Sequence, residues 1–197
     1  MIDNIELIKP LIKFENGGDF IRVLILKRKK DFTTDKSNHQ SVRTIKSYSF
    51  YSIEDLEERY DEIKLLAEIF KARVYIYFTV INDKDIPLKM ISKLVTNIES
   101  GNNKCKYVYD SVIGQINSKQ KIWIVDIDED DLNLKEEIKE HINSLEPLDN
   151  KILAEIPTKS GIHLITKPFR VDLFNYSGIS DIQKNNPTIL YIPNSLL

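Results

Sequence analysis

The chain has 197 residues, of which 42% are hydrophobic and 29% charged, and its formal net charge is -2. That size suits one large domain or two small modules sharing a core, and that charge leaves any nucleic-acid binding to a local basic patch. One cysteine, Cys105, excludes an intramolecular disulfide and a cysteine-based zinc cluster. No apolar run approaches the ~18 residues of a membrane span. The N-terminus has early acids and lacks a secretory signal's apolar core, so a cytoplasmic protein is the expectation.

Ile5, Ile8, Leu11 and Ile12 recur at near-helical spacing after Asp3, a candidate cap. Pro10 limits that helix because it has no N–H to give the preceding turn. Asn16, Gly17 and Gly18 make a turn. Residues 20–26 (FIRVLIL) read as a buried strand and run into Lys27, Arg28, Lys29 and Lys30. Residues 31–40 are polar and loop-like, and residues 42–51 return as a second strand, predicting a hairpin with a long basic tip. The tip is open to two readings, a solvated strand end or a contact for phosphates.

Ser52, with Asp55 three residues on, is a helix N-cap. The helix reaches about Phe70, with Leu56, Ile63, Leu66, Ala67 and Phe70 recurring on one face. Residues 72–81 (ARVYIYFTVI) predict a strand. After the turn at residues 82–85, Pro87 opens a helix whose apolar face carries Leu88, Ile91, Leu94, Val95 and Ile98. Residues 105–114 fit neither period cleanly. The polar connector at 115–120 gives the boundary between an N-terminal module, 1–118, and a second, 119–197.

In the second module, residues 122–127 predict a strand. Asp130 or Asp131 then caps a helix with Leu134, Ile138, Ile142 and Leu145 inward. Strands follow at residues 151–157 and 162–166, and residues 188–192 (TILYI) predict a return strand. The whole reads as α/β or α+β, with a sheet in each half facing a shared cleft.

The chemistry gathers at KIWIVDIDEDD. Residues two apart on a strand face the same side, so Asp126 and Asp128 project together, ~7 Å apart by the strand rise. Such a pair suits Mg²⁺ or Mn²⁺, which prefer oxygen ligands. Two such ions ~3.5–4 Å apart hold the attacking and leaving oxygens of a phosphoryl transfer. Asp126 lies among Trp123, Ile124, Val125 and Ile127, where an unpaired carboxylate is costly. The alternative is a turn or capping role, of the kind Asp130 and Asp131 fill. In IPTKSGIHLIT, Lys159, Ser160 and the backbone around Gly161 suit phosphate oxygens, and His163 is placed to hold another. The alternative there is a hairpin with a solvated lysine and a structural histidine. Asp181, in SDIQKNNPT, is either a turn residue or a third carboxylate. His39 and His141 carry no comparable signal. There is no P-loop and no G-x-G-x-x-G, and Ser160 is not in a nucleophile elbow.

The order IVDID, TKSGIH, SDIQKNN, then a strand, resembles the archaeo-eukaryotic primase superfamily. That group includes primase small subunits, primase-polymerases and the polymerase domains of bacterial ligases. The motifs span residues 122–193, and Asp181, Gln183 and Asn185 resemble the ligase-associated D-x-x-Q-N stretch. The first half matches in plan alone, an N-terminal α/β module followed by an RRM-like catalytic module. The resemblance implies divalent metals on Asp126, Asp128 and Asp181, and the triphosphate of a nucleotide on Ser160 and His163, joined by Lys159. The basic tip, Lys27, Arg28 and Lys29, is then the candidate holder of the nucleic-acid backbone.

The sequence departs from the pattern in having Ser180, not an apolar residue, before Asp181. Asp172, in FRVDLF, fits that pattern but follows His163 closely. The zinc element and helicase domain of many relatives do not occur in it. The expectation is therefore a minimal metal-dependent nucleotidyltransferase that starts or extends primers. Its candidate partners are nucleoside triphosphates, nucleic acid, and a helicase or other replication protein. The alternatives are a non-catalytic nucleic-acid-binding or replication-accessory protein and a metal-dependent nuclease.

Overall fold

Apart from Arg22, residues 20–26 are apolar on both sides. Ile21, Val23 and Ile25 enter the main core, while Phe20, Leu24 and Leu26 point the other way. A strand of that composition belongs in the middle of a sheet with both faces covered, and it is found there. The computed structural model describes residues 1–31, 42–102, 105–116, 121–129, 131–176 and 180–197. Its strands are β1 (Ile2–Asp3), β2 (Asp19–Arg28), β3 (Val42–Phe50), β4 (Arg73–Ile76), β5 (Ile81–Asn82), β6 (Trp123–Ile127), β7 (Ile152–Pro157), β8 (Ile162–Thr166), β9 (Ser180–Gln183) and β10 (Thr188–Ile192). Its helices are α1 (Ile5–Ile8), α2 (Ile53–Glu58), α3 (Tyr60–Phe70), α4 (Ile86–Glu99), α5 (Val108–Gln115) and α6 (Leu132–Ser144). No helix among the described residues is long and apolar enough to cross a membrane.

The fold is mixed α and β, built on two antiparallel sheets. The first runs β1-β10-β4-β2-β3, with β5 also paired to β2; the second runs β7-β8-β6-β9. One core joins them. Ile21, Val23 and Ile25 of β2 meet Leu56, Ile63 and Ala67 of α2 and α3, and the same cluster takes in Ile124, Ile156 and Ile165 from the second sheet. The other face of the second sheet, Val125, Ile127 and Leu164, packs on Ile138 and Ile142 of α6. Asn4, 1% exposed, ties the sheets together. Its side-chain amide donates to the carbonyls of Pro157 on β7 and Ile189 on β10, each at 3.0 Å.

The expected β2–β3 hairpin forms. Its tip begins as a 3₁₀ turn, Lys29–Asp31; the rest of the polar stretch, with His39, lies outside the described residues, as do Asp130 and the 118/119 boundary. The Ser52 hydroxyl accepts from the Asp55 N–H at 3.1 Å, as a cap should. The helix it opens is interrupted at Arg59, which leaves helical geometry at φ -98° and ψ 1°. Asp131 caps α6 through the N–H groups of Asn133 and Leu134. Residues 108–115 form α5, which settles the ambiguous stretch as helix.

Two expectations need correction. TILYI is not the return strand of the second unit: β10 inserts between β1 and β4 of the first sheet, buried along its whole length. The return strand is β9, in a segment polar enough to read as a turn, because Asp181, Ile182 and Gln183 stay partly or wholly in solvent at the sheet edge. Of the apolar face expected for α4, Leu94 alone is inward. Ile86, Met90 and Leu94 pack against α5, while Leu88, Ile91, Val95 and Ile98 face solvent.

Candidate functional site

The site starts from strand alternation in β6. Trp123, Val125 and Ile127 pack towards α6, so Asp126 points to the opposite face, towards the first sheet. It is the middle of three antiparallel strands. On β8 its direct cross-strand neighbour is His163; on β9 it is Asp181. Directly opposed residues have Cβ atoms ~4.5–5.5 Å apart on one face. Two of the expected residues therefore flank a third on adjacent strands, from chain positions 37 and 55 residues later.

His163 is 8% exposed and held at both ring nitrogens. Nε2 lies 3.3 Å from Asp126 Oδ1, and Nδ1 lies 2.8 Å from the Thr188 hydroxyl on β10. A carboxylate only accepts, so Nε2 carries the proton in the first pair. The hydroxyl either donates to Nδ1 or accepts from it, so the ring is satisfied neutral or charged. Asp126 and Asp181 face each other as like charges, and Gln183 sits between them. Its amide donates to Asp181 Oδ2 at 3.3 Å and to Asp126 Oδ2 at 3.5 Å.

Asp128 follows the end of β6, and its Oδ1 accepts from the Ser160 hydroxyl at 2.8 Å. That contact depends on Gly161. A Cβ there would lie 1.9 Å from the Ile127 carbonyl oxygen and 3.1 Å from the Asp128 Cα, so only glycine lets the Thr158–Gly161 turn close onto β6. The turn is itself closed by the Thr158 N–H donating to the Gly161 carbonyl at 3.0 Å. Lys159 does not point free into solvent, because its ammonium donates to the Leu196 carbonyl.

These residues open onto a cleft of about 330 Å³ between the two sheets. Asp126, Asp128, Lys159, Ser160, His163 and Gln183 line one wall, and Arg28, Arg73 and Tyr75 the other. Asp181 lies one strand further out, reached through Gln183. Of the basic tip, Arg28 enters the cleft and donates to the Tyr75 hydroxyl at 3.2 Å. Lys27, the next residue on a β strand, faces the opposite side, and Lys29 opens the 3₁₀ turn. Arg73 is closed off by a two-pronged ion pair with Asp31, whose side chains are 8% and 6% exposed.

Sequence reasoning missed Thr188, Tyr75 and the Arg73–Asp31 pair. Thr188, Tyr75 and Arg73 come from the first sheet and Asp31 from the turn after β2, and no local spacing marks them as neighbours of Asp126. Among the described residues, no three His, Cys, Asp or Glu side chains are gathered closely enough to hold a metal ion as they stand. The donor types nevertheless suit a hard cation: carboxylate oxygens from Asp126, Asp128 and Asp181. The Gln183 amide occupies a position between two of them where positive charge is favoured. Comparison of the chain with protein-family models, with curated proteins and with solved structures gives no match.

Proposed function

We propose that the protein is a cytoplasmic metal-dependent nucleotidyltransferase of primase-polymerase type, adding nucleotides from nucleoside triphosphates to a nucleic-acid 3′ end or starting primers. The observation that carries the reading is the row His163–Asp126–Asp181 across β8, β6 and β9, with Ser160 on Asp128 beside it and Arg28 across the cleft. The order β7-β8-β6-β9, in chain order second, third, first, fourth within that unit, supports the RRM-like reading of the second module. The crossover after β8 is a 3₁₀ turn, Val171–Leu173, and loop among the described residues, where such a unit ordinarily has a second helix.

Asp126, Asp128 and Asp181 would hold Mg²⁺ or Mn²⁺. The ions, when bound, supply the positive charge that stabilises the attacking oxygen and the leaving pyrophosphate. For this the Gln183 amide gives way between Asp126 and Asp181, and Asp128 releases the Ser160 hydroxyl. Ser160 is then free to donate to a phosphate oxygen. His163, braced by Thr188 through Nδ1, has one Nε2–H, which either orients Asp126 or turns from that carboxylate to a phosphate oxygen of the nucleotide. Arg28 faces this row and balances the charge of a nucleotide or strand lying in the cleft.

The test is binding. Wild-type protein should gain thermal stability from Mn²⁺ together with a non-hydrolysable nucleoside triphosphate, by the linkage of ligand to the folded state. Asp126→Asn with Asp128→Asn should lose that gain while melting normally without ligand. An equal gain in both proteins would remove the carboxylates from the site. A second reading, a non-catalytic nucleic-acid-binding protein on the same fold, is favoured by the commitment of Lys159 and both His163 nitrogens to protein partners. It predicts strand binding with no metal-dependent nucleotide binding.

A further inference from the structure

A second cavity lies apart from the carboxylate cleft, on the outer face of the first sheet. Arg22 and Leu24 of β2 and Tyr77, just past β4, line its floor, and Asp110, Ile113 and Gly114 of α5 close one side. Its volume is about 590 Å³, within the range of small-ligand sites.

The cavity carries more polar equipment than packing needs. The Arg22 side chain, 11% exposed, donates to Asp110 Oδ1 at 2.8 Å, and its guanidinium lies over the Tyr77 ring, 5.8 Å from the centroid. That one bond leaves both partners with capacity, since a guanidinium has five N–H donors and a carboxylate about four acceptor positions. Burial pushes the Tyr77 phenol up, and no hydrogen bond among the described residues offsets it. Gly114 adds an independent sign. It sits inside α5 without the positive φ that would require glycine, although glycine weakens a helix. A Cβ added there would meet nothing within 4 Å. A helix glycine beside an open cavity suits a ligand that approaches the backbone closely.

We infer that this cavity is a binding site for a guanine base. The charges of Arg22 and Asp110 cancel, so a bare phosphate is repelled by the one acid and a simple cation by the one base. A neutral, flat ring with donors and an acceptor on one edge meets neither penalty. Leu24 and Ile113 suit its apolar faces, and Tyr77 offers a ring on which a base can stack. A carboxylate only accepts and a guanidinium only donates. Among the common bases, guanine alone presents two adjacent N–H donors, N1 and N2, beside a carbonyl acceptor, O6. The donors go to Asp110 and the acceptor to Arg22. A free guanine nucleotide and an unpaired guanine in a strand present this same edge. The site shares no lining residue with the carboxylate cleft, and it does not depend on the nucleotide-transfer reading.

Isothermal titration calorimetry of the full chain in EDTA tests the assignment. Guanosine monophosphate, titrated to about 1 mM, supplies the free base. A short thymidine oligonucleotide with one central guanine supplies the base in a strand. At least one should bind, about 10-fold or more tightly than its adenine counterpart, the worth of hydrogen bonds to charged groups. Binding of the nucleotide assigns a free ligand; binding of the oligonucleotide alone assigns a strand. Inosine in place of guanosine removes the N2 donor and should weaken binding by about 10-fold. Asp110→Asn should remove most of that difference, whereas a merely structural Asp110 would weaken both probes alike. Gly114→Leu fills the open space with a good helix former and should abolish binding without lowering the melting temperature. If that variant fails to fold, the guanine–inosine comparison in Asp110→Asn still decides. No binding of either probe, equal binding of guanine and adenine, normal binding by folded Gly114→Leu, or a guanine–inosine ratio unmoved by Asp110→Asn would overturn the proposal. EDTA keeps divalent ions out of the carboxylate cleft, so such a result leaves the nucleotide-transfer reading standing, and failure of that reading leaves this one.

Discussion

Asp19 shows how a single buried acid is made tolerable away from the cleft. It is 7% exposed, and burial alone would push its carboxyl up. Hydrogen bonds from the Asn82 amide at 2.6 Å and from the N–H groups of Asn16 and Glu15, at 2.8 and 3.0 Å, outweigh that and hold it below the usual carboxylate range. Because its folded value is the lower one, its stabilisation is complete above the unfolded value near ~4 and is lost as pH falls through the folded value. Asp19→Asn should therefore cost about 1–3 kcal/mol at pH 7, the range for unmaking buried hydrogen bonds. In urea denaturation at neutral pH and again near pH 3, the gap between the two proteins should shrink at the lower pH. A gap independent of pH would mean that the ionised carboxylate contributes nothing. The residue-level reading of the sequence was strongest where a strand rule applies. Asp126 and Asp128 line one cleft as alternation requires. It was blind to Thr188, whose contact with His163 joins different sheets.

At the scale of elements, Gly161 decides whether the Thr158–Gly161 turn can lie on the end of β6. An alanine methyl at 1.9 Å from a backbone oxygen cannot be absorbed by a side-chain shift, so the turn must lift from Ile127 and Asp128. Gly161→Ala should destabilise by about 1–3 kcal/mol, the usual overpacking cost, and should reduce metal-dependent nucleotide binding. A variant as stable as wild type in urea would show that the turn does not need its close approach. The caps and the consecutive strands were legible because their causes are local: Ser52 and Asp131 accept from N–H groups two or three residues on, and β7 and β8 are joined by a short turn. Amphipathicity was only half informative. It announced α4 as a helix with an apolar side, but not that of this side Leu94 alone, joined by Ile86 and Met90, would win the contact with α5.

At the scale of the molecule, the cleft exists because two sheets share one core and are stitched at its edge by Asn4 and by the His163–Thr188 contact. The mixed α and β character was readable from alternating strand-like and helix-like periods. The sheet membership of TILYI was not, since an apolar strand carries no record of which distant strands it will pair with. By returning to the first sheet, β10 carries Thr188 to His163 and leaves β9 to bring Asp181 opposite Asp126. The central claim, that this row of side chains supports nucleotide transfer, is tested most directly by extension of a labelled primer on a template strand with nucleoside triphosphates and Mg²⁺ or Mn²⁺. The prediction is incorporation by wild type, with loss in Asp126→Asn and in Asp128→Asn at unchanged melting temperature. No incorporation by wild type with either metal, or full incorporation by the two variants, would contradict it.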